Sequence, residues 1–275
     1  MSLLNAVLRG LADVLLLPFR PLPPWLGLGA VALLCGIIML LVVKRTTDQK
    51  ALAAVKRQIH ACIFEIRLFN DDMRAIFRAQ NEVLRRNLTY LWLSLPSVLW
   101  MIVPFLLLIA QMEYHYGYRG LTPDEPVLVK VTLRDGAVDA AAGRPELRLE
   151  VPDGLRVETP GVWIPSAREM DWRIAAAREG DYELTVALDG SAASKTVRAD
   201  DRVVRRSPVR HAGGFVDSLW YPAEPPLDGD SPFERIEVTY PETASVLGLK
   251  TWLWLFILLM IVFAFALKGV FGVVL

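Results

Sequence analysis

The chain is poor in the residues that most chemistry needs. It has two cysteines and three histidines in 275 residues. Cys35 lies inside a long apolar block and Cys62 in a charged helical stretch. The two read as belonging to different compartments, so no disulfide between them is expected. The β-rich region described below has no cysteine at all and must be stable without cross-links. His60, His115 and His211 are scattered without metal-ligand spacing, so neither a metal nor a cofactor is expected. Nucleophile elbows, Walker loops, HExxH helices, CxxC pairs and Rossmann glycines are all missing. Gly213-Gly214 follows no strand–helix pattern. Catalysis has no candidate residue, and the chain is not expected to be an enzyme.

Charge is missing from three apolar blocks, and these account for a mean hydropathy of +0.35 and 53% hydrophobic residues. The first is Trp25 to Val43, the second about Tyr90 to Ala110, and the third Trp252 to Leu267. Each approaches the roughly 20 apolar residues that cross a ~30 Å hydrocarbon layer. Lys268 interrupts the third, and the apolar tail Gly269 to Leu275 can continue it if the lysine snorkels to the interface. Trp25, Tyr90, Trp92, Trp252 and Trp254 lie near block ends, where aromatic belts form. Charges inside membrane spans usually mark transport paths. Their absence before Lys268 argues against a pump, an ion-coupled transporter or a proton relay.

The formal net charge is zero, but it is unevenly spread. Residues 44–88 carry ten Lys/Arg against five Asp/Glu, while residues 112–250 carry 17 against 24. The positive-inside rule puts the first segment in the cytoplasm and the second outside. The expected topology is then N-terminus out and C-terminus in, in the cell inner (plasma) membrane.

Residues 2–17 lack a small-x-small cleavage site and read as an amphipathic interfacial helix on the outer face. Leu4, Val7, Leu8, Leu11, Val14 and Leu15 form its apolar stripe. A disordered leader is the alternative. The Pro-rich Pro18 to Pro24 ends the helix and turns the chain into the first span.

Between the first two spans, Leu52, Val55, Ile59, Cys62, Ile66, Phe69, Met73, Ile76, Gln80 and Val83 recur at alternating steps of three and four, a heptad stripe with one polar member. Both ends of this segment enter the same membrane face, so it must fold back on itself. Asn70-Asp71-Asp72 is the best break, and a two-helix antiparallel hairpin is expected. Its basic residues (Lys56, Arg57, Arg67, Arg74, Arg78, Arg85 and Arg86) read either as a solvated surface or as a contact for anionic lipid, a ribosome or a nascent chain.

Residues 119–245 hold short alternating segments separated by turn signals. Strands are expected at Val127 to Leu133, Leu147 to Val151, Leu155 to Glu158, Val162 to Ile164, Met170 to Ile174, Tyr182 to Leu188, Ala193 to Arg198 and Arg235 to Tyr240. Asp135-Gly136, Asp153-Gly154 and Asp189-Gly190 mark turns. This spacing suggests a β-sandwich, and Gly180-Asp181-Tyr182-Glu183-Leu184 resembles a strand of immunoglobulin-like modules. Asp171, Asp181 and Glu183 read as exposed faces. Arg202, Arg205, Arg206 and Arg210 cluster in the Pro- and Gly-rich Asp201 to Asp230, read as a solvated loop, with an anionic headgroup or acidic partner as the alternative. No supporting basic domain accompanies the cluster, so nucleic acid is not expected.

The second span contains Ser94, Ser97, Pro96 and Pro104. Each proline removes a helix hydrogen bond. With the serines they either shape a shallow polar groove or are packing residues that membrane helices tolerate.

The fold class expected is thus an α-helical membrane protein with an extracytoplasmic immunoglobulin-like β-sandwich. Its parts are residues 1–24 (outer helix and Pro-rich turn), 25–43 (first span), 44–88 (cytoplasmic hairpin), 89–112 (second span), 113–245 (β-domain) and 246–275 (third span). With the second span approached through Asn87-Leu88-Thr89-Tyr90 and broken by Pro96, this order of parts resembles the YidC/Oxa insertase superfamily. It looks most like the minimal three-span archaeal and endoplasmic-reticulum relatives. The resemblance is architectural, covers residues 1–112 and 246–275, and rests on no strict motif. The chain has no intramembrane arginine and carries a large outer domain where bacterial members have extra spans. The resemblance implies a groove lined by Ser94 and Ser97, with Arg85 and Arg86 at its mouth, through which polar parts of a nascent segment enter the bilayer. It also implies that the hairpin receives the substrate. The partners implied are membrane lipids and nascent membrane proteins or the ribosome. The competing expectation is a non-catalytic scaffold or accessory subunit whose outer domain binds another membrane-complex subunit.

Overall fold

The computed structural model describes residues 2–69, 72–137, 143–200, 202–214, 217 and 220–274. It divides into two compact units, one made of Met1–Gly27 with Leu107–Leu253 and the other of Leu28–Leu106 with Trp254–Leu275.

Five helices are described. Helix α1 is Ser2–Leu16, followed by a 3-10 turn at Leu17–Phe19 where Pro18 stops the α-helical ladder. Helix α2 is Pro24–Thr46, with proline at its first position, where a missing N–H costs nothing, and Lys44 and Arg45 in the last turn, where cations suit the helix dipole. Helix α3 is Gln49–Leu68 and starts at an Asp48 cap that accepts from the Lys50 and Ala51 amides at 2.9 and 3.1 Å. Helix α4 is Met73–Tyr116 and helix α5 is Thr251–Phe271. Three of these, α2, α4 and α5, are long and apolar enough to cross a membrane.

The expected break between the hairpin helices falls where α3 ends and α4 begins. Asp72 caps α4 by accepting from the Arg74 and Ala75 amides at 2.8 and 3.2 Å. Asn70 and Asp71, the rest of that break, lie outside the described residues. The second hairpin helix and the second span are one helix of 44 residues, about 66 Å long at 1.5 Å per residue. Helix α5 runs on through Lys268, whose ammonium sits 4.6 Å from the Phe265 ring centre.

In the helical unit, Gly36 lets α2 approach α5. A Cβ on it would touch Met260 O at 3.5 Å and Phe263 Cβ at 3.6 Å. Cys35 Sγ lies 3.7 Å from Met260 Sδ, and the Phe105 and Phe256 rings stack at 6.2 Å. The heptad stripe of the hairpin needs correction. Among the described hydrophobic residues of the hairpin, Leu52, Val55 and Ala79 are buried, whereas Phe69 and Met73, like the polar Gln80, are exposed. Counting sevens through the break assumes a continuous helix. The chain turns at that point, the phase restarts, and Ala79 replaces Gln80 on the inner face.

In the other unit, two antiparallel sheets share one core. The larger has the order β3-β5-β1-β9-β8, with β4 also paired to β5, and the smaller has the order β2-β6-β7. The strands are β1 Pro126–Leu133, β2 Arg148–Glu150, β3 Leu155–Val157, β4 Val162–Ile164, β5 Glu169–Ala176, β6 Gly180–Leu188, β7 Ser191–Ala199, β8 Val209–His211 and β9 Phe233–Val238. A two-residue pair, β10 Ser245–Val246 and β11 Leu249–Lys250, precedes α5. Alternation decides which side chains turn inward. Val127, Val129, Val131 and Leu133 of β1 meet Met170, Trp172 and Ile174 of β5, and Leu184, Val186, Leu188 and Val197 of the smaller sheet close over the same core. Asp189 (φ 46°) and Gly190 (φ 83°) turn β6 into β7 with both central residues left-handed, as a tight right-twisted hairpin requires.

Two expectations about this unit fail. The segment 201–230 is not simply a solvated loop. It contains all of β8, and Arg206 and Ser207 are buried. Arg202 stays exposed and pairs with the Asp200 carboxylate at 3.2 Å, and Arg205 pairs with the Asp13 carboxylate, but Arg206 is spent on backbone carbonyls. Arg206 donates to Tyr118 O at 3.1 Å, Asp200 O at 2.6 Å and Arg202 O at 2.9 Å. Asp171 is not an ordinary exposed residue either. It is half-buried, and its Oδ1 has no hydrogen-bond partner among the described residues.

Candidate functional site

The three candidate spans each place one methionine on a single cavity. Met39 and Val43 come from α2, Ser97, Val98, Met101, Ile102 and Phe105 from α4, and Met260 from α5, and they line a space of about 220 Å³. Helix periodicity explains the α4 share. Ser97, Met101 and Phe105 are four residues apart and form one row. In the most apolar window of each helix, 44% of residues are buried in α2 but only 11% in α4 and in α5.

The serines contribute little free polarity. Ser97 is buried and its hydroxyl donates to Ser94 O at 2.7 Å. Ser94 donates to Tyr90 O at 2.9 Å. Both protons therefore serve their own helix, a common accommodation for hydroxyls in apolar helices. The prolines fall on another row. Pro96 lines a hollow of about 300 Å³ with Trp92, Leu95, Leu99 and Trp100. Pro104 lines one of about 400 Å³ with Leu99, Trp100 and Val103. Both hollows are on the exposed side of α4, where Trp92 and Trp100 also stand. Among the residues expected to form one groove, only Ser97 lines the methionine cavity.

The basic residues are elsewhere. Arg85 is exposed, and Arg86 pairs with Glu82 one turn away at 2.7 Å. Arg67 and Arg74 are exposed, while Arg78 reaches Glu65 across the hairpin at 3.4 Å. Around them the hairpin exposes Ile63, Phe64, Leu68, Phe69, Met73 and Phe77.

The β-domain unit holds the polar clusters. Lys195 on β7 is fully buried, and its ammonium sits 2.6 Å from Glu224 Oε2. Glu224 also accepts from the Thr196 amide at 2.8 Å, the Thr196 hydroxyl and the Ser207 hydroxyl at 2.7 Å. Burial would raise the Glu224 carboxyl, but the Lys195 charge and these donors hold it below the usual carboxylate range. Two further side chains reach the same strand: Tyr240 Oη accepts from the Arg198 amide at 2.7 Å, and Arg210 donates to Ser194 O. Near α1, Asp13 pairs with Arg205 and lies 3.3 Å from His115 Nε2. Burial pushes its carboxyl up, but hydrogen bonds to His115 and the Arg205 charge outweigh this and leave it below the ordinary value. Among the described residues no group of three or more His, Cys, Asp or Glu is placed to hold a metal ion.

The methionine cavity escaped sequence reading because spacing within each span gives faces but not which faces meet. Lys195 did carry a signal. Ala193, Lys195, Val197 and Ala199 alternate, so any strand that buried the valine had to bury the lysine. No family model, curated protein or solved structure matches the chain.

Proposed function

We propose that this chain is a membrane-protein insertase or chaperone of the minimal three-span YidC/Oxa type, working without a cofactor in the inner (plasma) membrane. The observation that supports it is the methionine cavity on a bundle whose second and third spans bury few of their residues within the chain. Unbranched thioether side chains repack around different shapes, which suits a surface that must accept many apolar segments. In this reading Ser97, Met39, Met101 and Met260 receive a nascent span, and Arg85 and Arg86 stand near the cytoplasmic approach. The charge asymmetry supports N-out, C-in topology. In this reading the two-sheet unit is an immunoglobulin-like sandwich that lies outside the cell membrane. Work on the polar-to-apolar transfer of substrate is the whole mechanism, and no residue acts as a catalyst.

A photo-crosslinker at Val98 tests this in membranes supplied with ribosome-bound nascent chains of small N-out proteins. Adducts with the nascent span are expected, and depletion should lower the levels of such proteins in the membrane. Adducts only with one full-length, stoichiometric partner would instead establish the scaffold reading. The exposed Phe64, Leu68, Phe69, Met73 and Phe77 of the hairpin favour that second reading, because uncovered apolar patches mark protein contacts.

A further inference from the structure

A thiol and three thioethers converge in the helical unit. Cys35 and Met39 come from α2, Met101 from α4 and Met260 from α5, and all four belong to the same compact unit. Cys35 and Met39 are four residues apart and so share one face of α2. Met39, Met101 and Met260 line the one space of about 220 Å³. Cys35 is buried, and its Sγ lies 3.7 Å from Met260 Sδ. Two sulfurs bonded to one metal ion at about 2.3 Å and a tetrahedral angle stand about 3.8 Å apart, so this pair already has the separation that a shared ion requires.

The surroundings select the ion. Among the described residues lining the cavity, Ser97 is the sole polar one, and its hydroxyl donates to Ser94 O at 2.7 Å. No imidazole or carboxylate lines it. Soft thiolate and thioether donors suit the cuprous ion, whereas Mg, Ca and Mn want oxygen and zinc takes thiolate, imidazole and carboxylate rather than thioether. Charge points the same way. One cuprous ion and one thiolate sum to zero, while a divalent ion on the same donors leaves a positive charge among apolar side chains, which is costly. An entry path exists, because Val98 and Ile102 on the cavity wall are exposed.

From this we infer that Cys35, Met39, Met101 and Met260 form a site for a cuprous ion between the three candidate spans. Binding replaces the thiol proton: Cys35 Sγ–H and Cu(I) give Sγ–Cu(I) and a proton released to water, and no electron moves. The three methionines add neutral thioether sulfurs from three helices. The bound ion then ties α2, α4 and α5 together, as metal binding that needs a folded site stabilises that fold. The inference does not rest on the insertase reading. Nascent-chain adducts at Val98 and copper binding are separate measurements, and either can fail while the other stands.

Anaerobic titration of the full chain in detergent with tetrakis(acetonitrile)copper(I), in competition with bathocuproine disulfonate, tests it. A Cys62→Ser background removes the other thiol. One ion per chain is expected, and X-ray absorption at the copper edge should read a shell of sulfur alone. Cys35→Ser is expected to weaken binding about 100-fold, and Met39→Leu, Met101→Leu and Met260→Leu about tenfold each, because losing a ligand costs at least what losing its supporting contacts does. Leucine keeps nearly the volume of methionine, so these variants should fold. The sulfur-only shell is read on the Cys62→Ser parent and decides the matter even where a variant does not fold. No bound ion, or nitrogen or oxygen in the shell, would overturn the inference. Affinity unchanged in Cys35→Ser overturns it too. Affinity that survives all three leucine substitutions together and falls only with Cys35→Ser marks a solitary thiol, and equally defeats the site.

Discussion

Removing the Glu224 carboxylate should unseat the β-domain. The Glu224→Ala substitution leaves the Lys195 ammonium fully buried with no anion, and strips acceptors from the Thr196 amide, the Thr196 hydroxyl and the Ser207 hydroxyl. Breaking a buried pair by deleting one partner costs about 3–5 kcal/mol, against a typical domain stability of about 5–15 kcal/mol. In a unit of this size about 1 kcal/mol moves the midpoint by roughly 2–4 °C, so a fall of roughly 6–20 °C is expected. Thermal unfolding of the full chain in detergent, followed by tryptophan fluorescence, measures it. Lys195→Met combined with Glu224→Ala should recover much of the loss, because the uncompensated charge goes with the lysine. The pH dependence has a definite sign. The folded Glu224 value lies below the unfolded one. The stabilisation is then present above the ordinary carboxylate range and is lost as pH falls through the folded value. A midpoint for Glu224→Ala within about 2 °C of the parent, or a double variant less stable than the single one, would refute this account.

Asp171 should show the opposite sign. Burial, then the Glu169 charge and hydrogen bond, push its carboxyl up to about 6. The folded chain binds that proton more tightly than the unfolded chain, so stability falls as pH rises towards 6 and is level above it. Asp171→Asn should therefore stabilise at pH ~7.5 by about 1 kcal/mol, after discounting for partial exposure, and give no gain near pH ~4 in paired melts. Gly120→Ala would drive a methyl into the Asp200 carbonyl oxygen, a backbone atom that cannot step aside. A cost at or above the usual ~1–3 kcal/mol of overpacking is expected, read as lost folded yield. Gly27→Ala, 2.7 Å from the Tyr116 hydroxyl, should cost about 1–3 kcal/mol and show as increased protease cleavage around Pro18 to Pro24.

The legible parts of this molecule were those set by local periodicity. The stretches read as spans lie within α2, α4 and α5, and the turns at Asp189-Gly190 and Asp72 fall where their chemistry put them. Every segment expected to be a strand overlaps one. The strand β8 was hidden because three residues between prolines and arginines carry no alternation worth counting. What the sequence could not disclose was convergence. Met39, Met101 and Met260 are ordinary apolar residues until three helices bring them to one cavity. Arg205 and Arg206 looked solvated because their partners, Asp13 and the carbonyls of Tyr118 and Asp200, lie far away or in the backbone. The proposed site thus depends on packing, whereas the fold depends largely on pattern.

The side chains gathered along β7 have a bearing on how copies of this protein treat one another. That strand is the last in its sheet, and an outermost strand ordinarily offers its unused amides and carbonyls to any neighbouring chain. Here Glu224 occupies the Thr196 amide, Tyr240 the Arg198 amide and Arg210 the Ser194 carbonyl. Lys195, pointing inward, adds a charge that an intruding strand would have to leave buried without its carboxylate. Where many copies are crowded together, that border resists strand-by-strand polymerisation. Mutations that loosen 201–230 should therefore be felt first as self-association, before any loss of the fold itself.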